Sequence, residues 1–204
     1  MKSFIHSWGW ISAGKMNEFV FNFVGLVRQE IGLKGPILEI GSKLYKGDVV
    51  ANTKMLFPDK KCFGLDIEKG KGVDVQADAY YLPFKDQTFN MVFLLETIEH
   101  LWYPQVVTRE IARVLKIKGL FVVTIPWVKN QAINRDQNRR VIGTVYPTHH
   151  KNDWWRLTGW AAERLLRDNN LKKRMLVPTP GRLYIVAEKR EKPYKQKRYK
   201  GMMW

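Results

Sequence analysis

Two acidic side chains stand at the ends of short apolar runs, each within two residues of a glycine. Glu39 is followed by Gly41 and Ser42, and Asp66 is preceded by Gly64. A glycine after a strand lets the backbone pass close to a ligand because no Cβ intrudes, and an acidic residue ending the next strand can accept both hydroxyls of a ribose. Each motif alone is also typical of a tight turn or a surface charge, but together they favour a ribose-binding site.

The loop after the first glycine argues against one class of ribose ligand. It reads GSKLYKG from Gly41 to Gly47, whereas a loop that cradles the pyrophosphate of a dinucleotide needs the pattern G-x-G-x-x-G. A nicotinamide-dependent oxidoreductase is therefore disfavoured.

A third and a fourth cluster follow further along the chain. Asp78 precedes Leu82 and Phe84, so a carboxylate could accept a hydrogen bond from an adenine amino group while apolar side chains wall the base. Glu96 and His100 belong to the segment LETIEHL, whose two carboxylates and histidine could orient a cofactor or act as a base. A turn aspartate and a structural loop are the alternative interpretations.

These clusters need a scaffold that brings strand ends together, and the hydrophobic pattern predicts one. Apolar runs alternate with helical periodicity, which is typical of a parallel sheet wound on both sides. We predict strands at 36–41, 61–66, 73–77, 89–95 and 120–125, and helices at 15–31, at 48–56 with Asp48 as N-cap, from 103 to a stop at Gly119, and through 167 with Thr158 as N-cap.

The last two strands, expected at 175–177 and 183–187, have no helix between them and should pair antiparallel. The expected fold class is α/β, a Rossmann-like doubly wound and mostly parallel sheet with a C-terminal antiparallel strand pair. Ligands of such sheets bind at the carboxyl ends of the strands, near the point where the strand order reverses.

In this order and spacing, the segments from about 36 to 158 resemble the class I methyltransferases that use S-adenosylmethionine (SAM), in the branch called type 11. The resemblance rests on ILEIGSKLYKGDV, FGLDIEKGKGVDV, ADAYYLPFKDQTFNMVFLLETIEHL and EIARVLKIKGLFVVTIP. It implies that SAM is the cofactor and that the chain is a methyltransferase. Lys43 and Asn90 depart from the family pattern, because a second glycine and an aspartate are common there.

The resemblance also implies which side chains contact SAM. Glu39, Gly41 and Ser42 would line its methionine end, Asp66 and Ile67 would hold the ribose and adenine, Asp78 and Ala79 would meet the adenine edge, and Leu95 and Glu96 would lie near the sulfonium.

A further segment, DWWRLT from Asp153 to Thr158, resembles the D-Y-W-R-F-T stretch of a subgroup in which it sits over the active site. The resemblance makes Trp154, Trp155 and Arg156 candidate substrate contacts; the alternative is that they anchor this segment by packing and a salt bridge. Four side chains are candidate catalytic bases for a hydroxyl or amine acceptor. They are His149, His150, Asp153 and His100.

The net charge of +16 is unevenly distributed, since residues 128–204 account for 13 of the 16 excess positive charges. Such a field attracts polyanions or anionic surfaces, so we expect an anionic acceptor: a glycan, a small molecule or a nucleic acid. The subgroup resemblance points more toward glycan or small-molecule chemistry. The alternative is a non-catalytic Rossmann-like protein that binds nucleic acid, although no dedicated nucleic-acid module is visible.

The organisation expected is a single domain over 1–188, with an N-terminal arm and helix at 1–35, a substrate lid at 127–157, and a flexible basic tail at 189–204. The lone Cys62 excludes an internal disulfide framework and a cysteine-based zinc site, and it fits a reducing, cytoplasmic compartment. No apolar run approaches the roughly 20 residues that span a bilayer. We expect no metal, and the sequence leaves the oligomeric state open.

Overall fold

A computed structural model describes residues 16–31, 35–44, 53–126, 133–135, 141–144, 154, 156–179 and 182–192. Its strands are β1 (Ile37–Ile40), β2 (Cys62–Asp66), β3 (Val75–Gln76), β4 (Phe89–Leu95), β5 (Leu115–Pro126), β6 (Ile133–Arg135), β7 (Val141–Thr144), β8 (Leu171–Thr179) and β9 (Arg182–Lys189). Its α-helices are α1 (Met16–Ile31), α2 (Thr53–Leu56), α3 (Pro104–Val114) and α4 (Gly159–Asp168), and a 3₁₀ turn spans Ile98–His100.

Seven strands form one mixed sheet in the order β3-β2-β1-β4-β5-β9-β8. The first five are parallel, whereas β9 runs antiparallel to β5 and β8 antiparallel to β9. From β1 the chain builds outward first through β2 and β3, then through β4 and β5 on the other side, so the strand order reverses between β1 and β4. The expected Rossmann-like fold with its antiparallel C-terminal pair is confirmed.

The central strand β4 has the bounds that its sequence predicts. Its residues FNMVFLL are nearly all apolar, and Phe89 and the run 91–94 are buried. A parallel strand covered on both faces needs such a continuous apolar run, because neither set of alternating side chains meets water.

The two faces of the sheet pack against different helices. Phe23 and Val27 of α1 lie with Phe93 and Tyr184 in one apolar cluster. The alternate residues of the strands join α3 and α4 in a second cluster, to which Ile111 contributes. Because successive strand residues point to opposite faces, both faces are covered and the strand ends are left to hold a ligand.

The expected boundary between α3 and β5 is wrong. The helix ends at Val114 instead of continuing to Gly119, and β5 begins at once with Leu115. An irregularity in the pairing of β4 and β5 absorbs the extra residues, and Lys118 takes a positive φ of 64° within it. A Cβ at Gly119 would lie 2.7 Å from the carbonyl oxygen of Lys116, so the glycine serves this bulge rather than a helix end.

Other elements differ from expectation in length. β3 is shorter than predicted, and β8 and β9 are longer. The segment 127–157, which we expect to form a substrate lid, contains the antiparallel pair β6–β7. Of the second helix only Thr53–Leu56 is described, so its expected N-cap Asp48 lies outside the described residues. None of the helices in the described part is long and apolar enough to cross a membrane.

Candidate functional site

The candidate site lies at the carboxyl ends of the parallel strands, between β1 and β4, where the strand order reverses. Gly41 follows β1, Asp66 ends β2 and Glu96 follows β4, so the fold brings together three motifs that are far apart in sequence. A crevice of this kind is where open α/β sheets bind ligands.

Gly41 lies where the turn after β1 meets the turn after β4, and this position requires a glycine. Its φ is +78°, in the left-handed region, and a Cβ there would lie 2.9 Å from Cγ2 of Thr97 and closer still to its Oγ1. The Gly41 N–H donates to the carbonyl oxygen of Leu65 at 2.9 Å. The glycine thus lets the β1 turn pass directly against the turn that follows β4.

Asp66 is held by two backbone donors from two different loops. Its Oδ2 accepts the N–H of Lys43 at 3.1 Å, and its Oδ1 accepts the N–H of Glu68 at 3.0 Å. Each carboxylate oxygen accepts two hydrogen bonds, so a further lone pair on each oxygen is available to hydroxyl donors. The carboxylate is fixed in orientation yet retains its capacity to accept.

The turn after β1, which contains Ser42, packs tightly against β2. Ser42 is 2% exposed, and among the described residues its Oγ has no hydrogen-bond partner. A Cβ at Gly64 would lie 3.0 Å from the Ser42 Cβ and would also collide with the Gly72 carbonyl oxygen. A buried hydroxyl without a partner is uncommon, and here it marks an unused polar atom beside the crevice.

Glu39 supports the helix that follows the β1 loop. Its Oε2 accepts both the N–H and the hydroxyl of Thr53, each at 2.8 Å. Burial raises the pKa of the Glu39 carboxyl above its ordinary value, against the lowering effect of the Thr53 hydrogen bonds and of Lys54. Glu39 therefore fixes Thr53 at the start of α2, whereas the family resemblance places it at the methionine end of SAM.

The residues expected at the adenine lie on two neighbouring segments. Ile67 follows β2 with 65% of its surface exposed, and its carbonyl oxygen accepts Nε2 of Gln76 at 3.0 Å. Asp78 closes a turn by accepting the N–H of Tyr80 at 2.9 Å. Ala79 packs against the main core cluster. Ile67 therefore presents an apolar side chain to solvent at the edge of the crevice.

Arg113 secures the loop that carries the expected adenine wall. Its guanidinium donates to the carbonyl oxygens of Leu82 and Phe84 at 3.0 and 2.7 Å, and to the carboxylates of Glu110 and Asp86 at 2.8 Å each. The hydrogen bonds that the guanidinium donates to these two carboxylates raise the pKa of Arg113. No sequence motif singles out Arg113, because its partners lie up to 31 residues away.

Glu96 adopts a left-handed φ of 47° directly after Leu95, the last residue of β4. Its N–H donates to Oγ1 of Thr124 at 3.0 Å, and its Oε2 forms an ion pair with Arg182 of β9. Burial by itself lowers the pKa of Arg182, but the charge and hydrogen bond of Glu96, together with those of Tyr184, outweigh that effect and the net shift of the pKa is upward. The other carboxylate oxygen, Oε1, is buried and has no hydrogen-bond partner among the described residues.

One of the candidate bases belongs to the turn that follows Glu96. His100 ends the 3₁₀ turn, and its Nε2 lies 3.8 Å from Oε1 of the buried Glu99. The candidates His149, His150 and Asp153 lie outside the described residues.

Trp154, from the segment that resembles D-Y-W-R-F-T, contacts this same turn. The N–H of Trp154 donates to the carbonyl oxygen of Glu99 at 2.8 Å, and its indole stacks on Trp102 with ring centroids 4.1 Å apart. Arg156 is half-buried, and Trp155 lies outside the described residues. Thr158 caps α4 as expected, accepting the N–H of Ala161 at 3.2 Å. Trp102 was absent from our candidates, since no motif singles it out.

The side chains described around the crevice can bind and orient a ligand. Burial raises the pKa of the lone thiol, Cys62, to about 11, so it stays protonated near neutral pH and is a poor nucleophile. The described residues contain no group of three or more His, Cys, Asp or Glu side chains that could hold a metal ion.

Comparison with known proteins agrees with this geometry. A family model described as a methyltransferase domain matches residues 47–123. No curated protein matches the chain.

Several solved structures share the fold. The PH0226 protein of Pyrococcus horikoshii is 18% identical, with a TM-score of 0.60 and coverage of 88% of this chain and 94% of that one. The 1,6-didemethyltoxoflavin-N1-methyltransferase of Burkholderia thailandensis, solved with 1,6-didemethyltoxoflavin and S-adenosylhomocysteine, is 13% identical, with a TM-score of 0.63 and coverage of 88% and 79%. The partner of the Trm112 methyltransferase activator of Haloferax volcanii is 15% identical, with a TM-score of 0.57 and coverage of 89% and 96%.

Proposed function

We propose that the chain is a SAM-dependent methyltransferase that transfers the methyl group of SAM to an anionic acceptor bound beside Trp154. The match of residues 47–123 to a methyltransferase domain and the shared fold support this proposal. The observation that carries the proposal is the fixed carboxylate of Asp66 in the crevice between β1 and β4. The neighbouring Trp154 segment supplies a surface for the acceptor.

The residues around the crevice fit SAM. Asp66 would accept the ribose hydroxyls through the lone pairs that its two backbone donors leave unused. Ser42 and Glu96 each bring a buried oxygen without a hydrogen-bond partner among the described residues, which suits the polar methionine end and the cationic sulfonium side. Ile67 and Ala79 would contact the adenine, and the remaining positions are Glu39, Gly41, Asp78 and Leu95.

Bound SAM supplies an electrophilic methyl group on a sulfonium. The chain's own contribution is to orient the cofactor and the acceptor and to exclude water from between them. The Glu96–Arg182 pair fixes one wall of the crevice. A hydroxyl or amine acceptor loses a proton during transfer, and we propose His100, His149, His150 and Asp153 as the candidates to accept it.

The acceptor surface that we propose is aromatic, and it adjoins a part of the chain that is rich in Lys and Arg. Trp102, Tyr103 and Trp154 are each more than 40% exposed beside the turn that follows β4, and Trp102 and Trp154 stack on each other. With Trp155 and Arg156 they would contact the acceptor, and the excess positive charge of residues 128–204 favours an anionic one. The segment 127–157 would act as the lid, within a single domain that works in a reducing, cytoplasmic compartment.

The cofactor site is tested by titrating S-adenosylhomocysteine into wild type, Asp66→Asn and the control Asp168→Asn in a calorimeter. Hydrogen bonds to a charged group contribute about 1.5–3 kcal/mol each, so Asp66→Asn should weaken binding at least about tenfold. Asp168 lies on the surface of α4 and pairs with Arg164, so its variant makes the same charge change and should bind like wild type. Wild-type affinity in Asp66→Asn would contradict the proposed site.

The acceptor is tested with methyl-labelled SAM and a cell extract fractionated on an anion exchanger. Label should appear in molecules that the exchanger retains, and label only in the unretained fraction would contradict an anionic acceptor. With the active fraction, Trp154→Ala should slow transfer while S-adenosylhomocysteine binds as in wild type. Equal transfer rates would mean that Trp154 only anchors its segment.

A further inference from the structure

A basic pocket lies at the far edge of the sheet, away from the crevice, between α4 and the edge strand β8. It encloses about 300 Å³ and is lined by Trp160, Glu163, Arg164, Leu166, Arg167, Leu171, Lys172 and Lys173. Four cationic side chains thus face one carboxylate in a concave site that the proposed methyl transfer does not use.

One face of α4 supplies half of this pocket. Trp160, Glu163, Arg164 and Arg167 are spaced three and four residues apart, so they project from the same side of the helix. Of the apolar positions on α4, Ala162 is buried against the protein, and Leu166 lines the pocket although it is only 2% exposed. The arrangement leaves a single large ring, Trp160, with 88% of its surface in solvent beside the cationic groups.

The four cationic side chains of the pocket differ in whether a carboxylate already pairs with them. Arg164 pairs with Asp168, and Lys173 pairs with Glu163. Within the part of the chain that the structure describes, no ion pair involves Arg167 of α4 or Lys172 of β8. Both are exposed, so their charges are available to an anion.

Protection of the sheet edge explains only part of this surface. Exposed lysines on an edge strand prevent pairing with other chains, and Lys172 and Lys173 on β8 fit that role. Trp160 and Arg167 belong to the helix, and protection of β8 gives no reason for an exposed indole there.

We propose that this α4–β8 pocket binds single-stranded nucleic acid, with one base stacked on Trp160 and the flanking phosphates contacted by Arg167 and Lys172. Single strands are bound by a positively charged groove with aromatic rings for stacking. A membrane surface fits less well, because interfacial helices bury a broad apolar face and α4 exposes one large apolar side chain in a concave setting. The inference is independent of the methyl acceptor's identity.

The test uses the full-length protein and a fluorescent single-stranded RNA of about 12 nucleotides, titrated between low and moderate salt. Three variants are compared with wild type: Trp160→Ala, the double variant Arg167→Glu/Lys172→Glu, and a control double variant, Lys85→Glu/Arg109→Glu. The control changes the net charge equally at exposed positions outside the pocket, so it measures the effect of total charge.

Trp160→Ala should weaken binding about tenfold, in line with the loss of one stacked base. The pocket double variant should weaken it well beyond the control and should make the slope of log affinity against log salt shallower by about 1.4, the value for two lost phosphate contacts. S-adenosylhomocysteine affinity should stay unchanged in Trp160→Ala and in the pocket double variant, which separates this result from failure of the cofactor site.

Three results would overturn the inference. One is no RNA binding by wild type, and another is equal weakening by the pocket and control double variants, which would assign binding to diffuse charge. The third is that vesicles containing anionic phosphatidylserine bind wild type but not the pocket variants while RNA affinity is unaffected, which would make the pocket a membrane contact.

Discussion

Arg182, the first residue of β9, forms an ion pair with Glu96, the residue that follows β4, although 86 positions separate them in the sequence. Because β5 lies between β4 and β9 in the sheet, the pair bridges the carboxyl end of β5. Arg182 is 6% exposed. The antiparallel C-terminal strands thereby reach back to the proposed cofactor site.

We predict that Arg182→Met destabilises the protein, because it leaves the Glu96 carboxylate without its partner in a partly buried place. The loss should be somewhat below the roughly 3–5 kcal/mol typical of fully buried pairs, since 23% of the Glu96 side chain is exposed. Urea unfolding of both single variants and of Glu96→Gln/Arg182→Met gives the coupling energy.

The pair Arg174–Glu188 provides the matched control for this cycle. It joins β8 to β9, and 52% of the Arg174 side chain is exposed, so its coupling should be about 0–1 kcal/mol. Coupling energies that are equal in the two cycles would show that the Glu96–Arg182 pair stabilises the fold no more than an exposed ion pair does.

Gly41→Ala should damage both stability and cofactor binding. The left-handed φ alone costs an alanine about 1–2 kcal/mol, and the contact with Thr97 adds a steric cost. Adding Thr97→Ala should recover the steric part and leave the cost of the positive φ. Thermal unfolding with and without S-adenosylhomocysteine measures both effects.

Gly25→Ala is the control, because a Cβ at Gly25 in the middle of α1 would meet no heavy atom of the described residues within 4 Å, apart from those of its chain neighbours and of the helix backbone. That change should stabilise the protein by about 0.5–1 kcal/mol through helix propensity. Equal behaviour of the two glycine variants would remove Gly41 from the argument for a close backbone approach.

The sequence predicted those elements whose signal is local. An unbroken apolar run defined β4, and a threonine followed by a helical pattern defined the start of α4. The end of α3 was misplaced because Gly119, a common helix terminator, here serves a bulge that depends on pairing with β4. Which strand lies beside which is a tertiary matter that no local pattern encodes.

The residues of the candidate site likewise divide into those with a local sequence signal and those without one. Glycine and carboxylate motifs at strand ends could be read directly, since the residue type and its position within the chain carry the chemistry. Arg182, Trp102 and Arg113 could not, because each acts through partners that only the folded chain brings near.

Glu39 gives a prediction with a defined sign in pH. Its folded-state pKa is raised by burial from an ordinary value of 4.5. Between those two values the folded protein binds more protons than the unfolded chain, so this group's contribution to the unfolding free energy falls as pH rises. Glu39→Gln removes that dependence while its amide oxygen can still accept both Thr53 hydrogen bonds.

The free energy of unfolding of Glu39→Gln, taken relative to wild type, should therefore rise from pH 4 to pH 7 in urea titrations. The change in the opposite direction would contradict a raised pKa. S-adenosylhomocysteine affinity separates the two roles of Glu39. It should stay within about threefold of wild type if Glu39 only holds the loop, and should fall at least about tenfold if its charge binds the cofactor's amine.

Arg113 tests whether the adenine wall depends on support from α3. Arg113→Lys keeps the charge but loses the planar fork that bonds Leu82, Phe84 and two carboxylates at once. We expect faster amide hydrogen exchange over residues 82–88 and a severalfold loss of S-adenosylhomocysteine affinity, because a looser loop must be ordered when the ligand binds. Arg109→Lys, at an exposed position on the same helix, should change neither quantity. If exchange speeds up in Arg113→Lys while affinity is unaltered, the adenine does not rest on this loop, and the cofactor contacts expected near Asp78 need another location.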